Sequence, residues 1–242
     1  MINSLMILAG GKGTRIKEYT SEIPKPLILA NGKPLIQYII DHYVSYGVQN
    51  IYILGGYKIE EFLNYFGKKY KNTDNLYTFT SSNLTIKVLD TGIDSMTGFR
   101  ILKGMENIKE ENFYLTYGDG ISNVSIKDLT DFHLYKNKIA TVTAVRPPAR
   151  FGSLNIENDV VVKFGEKNNA LSGWINGGFF VLNKKILNYI EPKPNTIFER
   201  TPLEKLAINA ELVAFKHHDF WHPCDTIRDL EILEEELNKG YL

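Results

Sequence analysis

The residues whose chemistry can be read first lie near the start of the chain. Gly10-Gly11-Lys12-Gly13-Thr14-Arg15 follows the apolar run Leu5-Met6-Ile7-Leu8-Ala9, and Pro24-Lys25-Pro26 comes soon after. Glycines after a buried strand let backbone N–H groups approach phosphate oxygens with no Cβ in the way. Lys12 and Arg15 add two cations, and Lys25 is a third, held between prolines. This is the chemistry of a triphosphate cradle. Two commoner glycine motifs do not fit. The dinucleotide fingerprint G-x-G-x-x-G, aligned on Gly11 and Gly13, puts Ile16 where the last glycine belongs. The P-loop needs a Ser or Thr after a Gly-Lys pair at fixed spacing, and the chain has none there.

Two acids are candidates to complete such a site. Asp119 stands between Gly118 and Gly120, after the apolar run Phe113–Tyr117. An exposed acid at a strand end suits ligand binding, and it also suits a plain turn. Asp225 lies in Phe220-Trp221-His222-Pro223-Cys224-Asp225-Thr226, where it is also placed to cap a helix starting near Ile227. With triphosphate oxygens, two carboxylates would suit Mg²⁺, which takes hard oxygen ligands and keeps several waters. His42, His133, His217, His218 and His222 show no H-x-x-x-H spacing, which argues against zinc. The single cysteine, Cys224, permits no internal disulfide and reads as a packed core residue.

The elements that must hold these residues alternate. Strand patterns at Leu5–Ala9, Ile51–Leu54, Ile86–Leu89 and Phe113–Tyr117 are separated by helical patterns at Leu35–Tyr46, Ile59–Phe66 and Thr97–Met105. Gly47 is a helix stop. This order predicts an α/β fold, a doubly wound sheet with helices on both faces and ligands beyond the carboxyl ends of its strands. The glycine turn and Asp119 both fall at such ends. In the second half, Ile139–Val145, Val160–Phe164, Phe179–Leu182 and Leu212–Phe215 read as strands. Leu203–Ile208 and Ile227–Leu237 read as helices, and Lys68–Asn75 as an exposed loop.

Composition sets outer limits. The 242 residues, 43% of them hydrophobic, suit one domain with an ample core. We divide it into two halves, 1–135, which carries the phosphate cradle, and 136–242, with a smaller lobe and a closing C-terminal helix. With 28 basic and 28 acidic residues the net charge is zero, which speaks against nucleic acid as a partner. No signal peptide or membrane-spanning run is evident, so a cytoplasmic location is expected.

The glycine turn and Pro24-Lys25-Pro26 resemble the signature of the sugar-1-phosphate nucleotidyltransferases. Further motifs follow in order: Val88-Leu89-Asp90-Thr91-Gly92, Ser95-Met96-Thr97-Gly98, Tyr117-Gly118-Asp119-Gly120, Arg150-Phe151-Gly152, Glu166-Lys167, Ile175-Asn176-Gly177-Gly178-Phe179-Phe180 and Phe220 to Thr226. Together they resemble the glucose-1-phosphate cytidylyltransferase group of that family, over nearly the whole chain. The resemblance implies a Rossmann-like nucleotidyltransferase fold with a mostly parallel mixed sheet. It implies CTP and a sugar 1-phosphate as substrates, CDP-glucose as product, Mg²⁺ as cofactor, and a homo-oligomer, commonly a hexamer.

The resemblance also implies roles. Leu8, Gly10, Gly11, Gly13, Thr14, Arg15 and Lys25 would hold the triphosphate, with Thr97, Gly98 and Arg100 near the base or ribose. Asp119 and Asp225 would ligate Mg²⁺, and Gly152, Glu166, Lys167, Asn176 and Gly177 would hold the sugar phosphate. Arg15, Lys25 and Asp119 would carry catalysis, an in-line attack of the sugar phosphate on the α-phosphorus that rests on positioning and electrostatics. Trp221 would wall the sugar pocket. Phe99 replaces a usual glycine, which is expected to narrow the nucleotide pocket, Asn168 replaces a usual proline, and the region 68–84 is short for the family. The alternatives are the same chemistry with UTP, dTTP or another phosphate, and a nucleotide-binding subunit without turnover.

Overall fold

In β1 (Ser4–Leu8) all five residues are buried, the mark of a strand covered on both faces. The computed structural model describes residues 2–67, 69–81, 83–147, 153–157, 160–165 and 173–240. After β1 come α1 (Lys17–Thr20), β2 (Leu29–Ala30), β3 (Lys33–Pro34), α2 (Leu35–Ser45), β4 (Asn50–Gly55) and α3 (Ile59–Phe66). The chain continues through β5 (Lys71–Thr73), β6 (Leu76–Ser81), β7 (Leu84–Asp90), α4 (Thr97–Met105), β8 (Asn112–Tyr117), β9 (Gly120–Ser122) and α5 (Ile126–Lys136). It closes with β10 (Ala140–Val145), β11 (Ser153–Glu157), β12 (Val160–Gly165), β13 (Ile175–Asn183), α6 (Thr201–Ile208), β14 (Leu212–Lys216), β15 (Trp221–Pro223) and α7 (Ile227–Asn238).

Nine strands form one sheet in the order β14-β10-β13-β8-β1-β4-β7-β6-β5. Its centre, β8-β1-β4-β7, is parallel, with Leu5 opposite both Ile51 and Tyr114. β13 runs antiparallel between β8 and β10, so strands from both halves of the chain share one sheet. The sheet is therefore mixed: its centre and its β14–β10 edge are parallel, while β13 and the β7-β6-β5 flank pair antiparallel.

The two-residue period of β1 divides the core. Leu5 and Ile7 face one layer with Ile36, Ile39 and Ile40 of α2 and Phe62 of α3. Met6 and Leu8 face the other, with Ile101 and Met105 of α4 and Leu206 of α6. A third cluster joins Ile16 and Ile28 to Ile121, Cys224, Leu230 and Leu233, so α7 packs against the loop that follows β1.

Two local expectations change. Lys68–Asn75, read as a loop, contains β5, which pairs with β6 around Asp74 and Asn75, both at positive φ. All three β5 residues are exposed, so no apolar alternation marks the strand. The sequence reading also assigns no helix to 126–136. There α5 starts at Ser125, whose side chain accepts the Asp128 N–H, but it buries only Ile126, Leu129 and His133. So narrow an apolar stripe gives little periodic signal.

Candidate active site

β1 and β8 are parallel neighbours, so the glycine turn and Tyr117-Gly118-Asp119 leave the sheet side by side. The Gly118 N–H donates to the Leu8 carbonyl at 3.1 Å. A Cβ on Gly118 would lie 2.7 Å from Pro26 Cγ, so only glycine lets the Lys25-Pro26 turn sit this close to β8. The flanking prolines hold the Lys25 backbone, and its side chain runs to Asp119.

Asp225 arrives by another route. β9 and β15 pair antiparallel, with Pro223 opposite Gly120, and the Cys224 N–H donates to the Asp119 carbonyl at 2.9 Å. This short ladder carries Asp225 to Asp119. The helix cap is not Asp225: the Thr226 side chain accepts the Asp229 N–H and the Asp229 carboxylate accepts the Thr226 N–H. The Asp225 carboxylate is thereby left to face the site.

Lys25 Nζ lies 2.6 Å from Asp119 Oδ2 and 2.6 Å from Asp225 Oδ1, and Arg15 holds Asp225 Oδ2. Lys25 is 7% exposed. Burial works to lower its pKa, but the two carboxylates outweigh burial and leave it raised, so Lys25 is a cation. Among the described residues no three His, Cys, Asp or Glu side chains are grouped to hold a metal. Two carboxylates on one cation make a hard-oxygen donor pair that fits a divalent ion drawing its other ligands from phosphate and water.

Two cavities meet here. One, of about 360 Å³, is lined by Leu8, Gly10, Gly11, Gly13, Thr14, Arg15, Lys25, Thr97 and Arg100. The other, of about 790 Å³, is lined by Asn176, Gly177, Glu199, Trp221 and Asp225 among others. Arg15, Tyr117 and Asp119 belong to both.

The expected residues differ in what they do. Arg100, 4% exposed, sits beneath the glycine turn and donates to the Gly10 and Gly55 carbonyls, at 2.9 and 2.6 Å, and to the Thr91 hydroxyl. A Cβ on Gly10 would fall 2.1 Å from its guanidinium. Burial lowers the Arg100 pKa, partly offset by Asp90. Arg100 thus braces the turn from below. Gly98 does not line the cleft: it is buried against Thr196, whose carbonyl accepts its N–H at 2.9 Å. Nor does Phe99 narrow the cleft, since it lines neither cavity and its ring lies 5.7 Å from Lys103 Nζ. Gly152, Glu166 and Lys167 lie outside the described residues.

In the larger cavity the Asn176 amide donates to the Tyr117 hydroxyl at 3.1 Å, and Trp221 Nε1 donates to the Gly177 carbonyl at 2.7 Å. The residue that sequence reasoning missed is Glu199. It accepts from the Tyr117 hydroxyl at 2.8 Å and from the Thr97 hydroxyl at 2.6 Å. Burial, and then Glu199, push the Tyr117 hydroxyl well above the usual tyrosine range, so it remains a donor. Glu199 stands in a loop before α6 and belongs to no motif. Cys224 is buried, and burial pushes its thiol up to about 12 against the pull of Lys25, the environment of a packed core thiol rather than a reactive one.

A parallel-centred sheet with a glycine turn and paired carboxylates side by side at the carboxyl ends of its strands has the layout of a nucleotide-handling α/β protein. The chain belongs to the nucleotidyl transferase family, whose match spans residues 4–237. That family joins nucleoside triphosphates to sugar 1-phosphates. Relatives include a probable glucose-1-phosphate cytidylyltransferase of Bacillus subtilis, 39% identical over 97% of this chain and 96% of that one. Another is the glucose-1-phosphate cytidylyltransferase of Salmonella typhimurium, also 39% identical, over the same shares. Crystalline HddC from Yersinia pseudotuberculosis has the same fold, with a TM-score of 0.74 at 24% identity, covering 98% of this chain and all of that one.

Proposed function

We propose that the protein transfers a cytidylyl group from CTP to α-D-glucose 1-phosphate, releasing pyrophosphate and CDP-glucose. The observation that carries this reading is the meeting of the two cavities at Arg15, Tyr117 and Asp119, beside the Lys25–Asp225 pair. The smaller cleft takes the nucleotide and the larger takes the sugar phosphate. A phosphate oxygen of the acceptor attacks the α-phosphorus in line, and the bond to the departing pyrophosphate breaks. The acceptor is already an anion near neutral pH, so no general base is needed. What the protein must do is bring anions together and stabilise charge on the leaving group.

The turn N–H groups, Arg15 and Lys25 cradle the triphosphate, and Arg100 fixes the turn from beneath. Thr97 packs at the nucleotide side through Glu199. Asn176, Gly177 and Trp221 shape the sugar pocket, and Gly152, Glu166 and Lys167 keep the role the resemblance gives them. Asp119 and Asp225 would hold Mg²⁺, which when bound supplies Lewis-acid stabilisation at the α-phosphate.

A homo-oligomer is part of this reading, with the exposed Val160, Val161 and Val162 of β12 as apolar surface for it to cover. So is a cytoplasmic location, and no helix among the described residues is long and apolar enough to cross a membrane. The deciding experiment is pyrophosphate release with Mg²⁺ and glucose 1-phosphate, comparing CTP, UTP, dTTP, ATP and GTP. Turnover confined to CTP supports the reading, and turnover with a different nucleotide moves the base assignment.

A further inference from the structure

The two carboxylates that would hold the metal already hold cations. Lys25 Nζ sits 2.6 Å from an oxygen of each, and Arg15 takes the second oxygen of Asp225. Three of the four carboxylate oxygens are therefore engaged, and by the same two side chains that line the nucleotide cleft. A divalent ion bound to Asp119 Oδ2 and Asp225 Oδ1, at the roughly 2.1 Å usual for Mg²⁺, would overlap the ammonium. Two cations cannot share that space, and like charges so close repel strongly. Lys25 is not a loose surface side chain that drifts in and out. Its backbone is held by Pro24 and Pro26, Pro26 is packed against Gly118, and the residue is buried.

We propose that Lys25, helped by Arg15, is a resident counter-cation that closes the Asp119–Asp225 pair to divalent metal until nucleotide phosphates draw it away. The inference rests on reading those carboxylates as the metal pair, and it adds an order to that site. The carboxylates stay neutralised while the cleft is empty, so the pair is kept together without a metal. The triphosphate then offers Lys25 and Arg15 a denser cluster of negative oxygens in the cleft they already line. As they move onto it, the carboxylates are freed for the ion. Metal and nucleotide binding are thereby coupled, and by linkage the coupling is reciprocal. The nucleotide-free protein is a poor metal binder by construction, although its metal ligands are already in place.

The test is Mn²⁺ binding to the nucleotide-free protein, followed by the electron paramagnetic resonance signal of free Mn²⁺. Wild type should bind weakly. Lys25→Met should bind on the order of tenfold more tightly, within the usual range of coupling between sites. Lys25→Arg, which keeps the charge, should stay weak, and Lys25→Met combined with Asp225→Asn should lose the gain. Lys25→Met affinity equal to wild type overturns the inference. Should Lys25→Met not fold, Arg15→Gln serves, because Arg15 is an exposed side chain. It should tighten Mn²⁺ binding by a few-fold, and no change there overturns the inference by itself. The underlying reading fails differently. If Asp119→Asn and Asp225→Asn leave metal-dependent pyrophosphate release from CTP intact, the carboxylates are not the metal pair. If those variants are inactive and Lys25→Met binds Mn²⁺ no better than wild type, the counter-cation role alone is lost.

Discussion

Glu199 accepts a 2.8 Å hydrogen bond from the Tyr117 hydroxyl, and so ties the loop before α6 to the end of β8. Its other oxygen accepts from Thr97, the first residue of α4, whose hydroxyl in turn accepts the Phe198 N–H at 2.9 Å. One carboxylate therefore joins the cleft on the β1 side to the cavity beside Asn176. Both of its donors are partly buried, so neither is freely exchanged for water.

Removing that carboxylate should be costly. Glu199→Ala leaves the Tyr117 and Thr97 hydroxyls short of a partner; a fully buried group left unsatisfied costs roughly 1–3 kcal/mol, and these two are partly buried, so each should cost toward the low end of that range. We expect a lower Tm, and a KM for glucose 1-phosphate that rises more than the KM for CTP, because Asn176 leans on Tyr117. Glu199→Gln should recover part of the stability. Equal changes in both KM values would show that Glu199 does not act through the sugar side.

Asp119→Ala and Asp225→Ala should each lower kcat by at least ~100-fold, the scale of losing one key electrostatic group in a reaction that rests on such groups. Steady-state pyrophosphate release at saturating Mg²⁺ measures this. Near-full turnover by Asp225→Ala would show that its carboxylate serves only to fix Lys25 and Arg15.

Arg100→Met should weaken both the fold and the site. Its guanidinium satisfies the Gly10 and Gly55 carbonyls in a buried position. A hydrogen bond to a charged group of this kind contributes about 1.5–3 kcal/mol. Urea unfolding should show that loss, and the KM for CTP should rise because the Gly10 turn loses its support. An unchanged CTP KM in a destabilised protein would confine Arg100 to the fold.

His133 gives the protein a slope with pH. Burial lowers its pKa to about 4, while the ring bonds to Thr141 at 2.9 Å. The unfolded value is about 6.5, so between these two the unfolded chain takes up a proton that the folded chain refuses. Stability contributed by this residue is whole above about 6.5, falls as pH drops toward 4, and falls no further below that. Urea midpoints at pH 7.5 and pH 5 should differ in wild type and differ less in His133→Gln.

Much of the fold was legible because it is local. The helices at Ile59–Phe66 and Thr97–Met105 fall where the apolar spacing predicts them. Their buried faces repeat at the helical period, and glycines follow the strands that precede them. The wholly exposed β5 and the thinly buried α5 escaped, since neither writes a strong apolar pattern into the chain.

The sequence by itself determined the glycine turn, the caged Lys25, the acid after β8 and the central parallel strands. Each of these is encoded by neighbours within one element, through allowed dihedrals and apolar period. Only the tertiary structure decided that Asp225 meets Asp119, that Thr226 rather than Asp225 caps α7, that Arg100 lies under the turn while Phe99 turns away, and that Glu199 joins the two cavities. Those relationships join residues far apart in the chain. They are set by which strands pair and which helix faces pack, and local spacing carries no record of either.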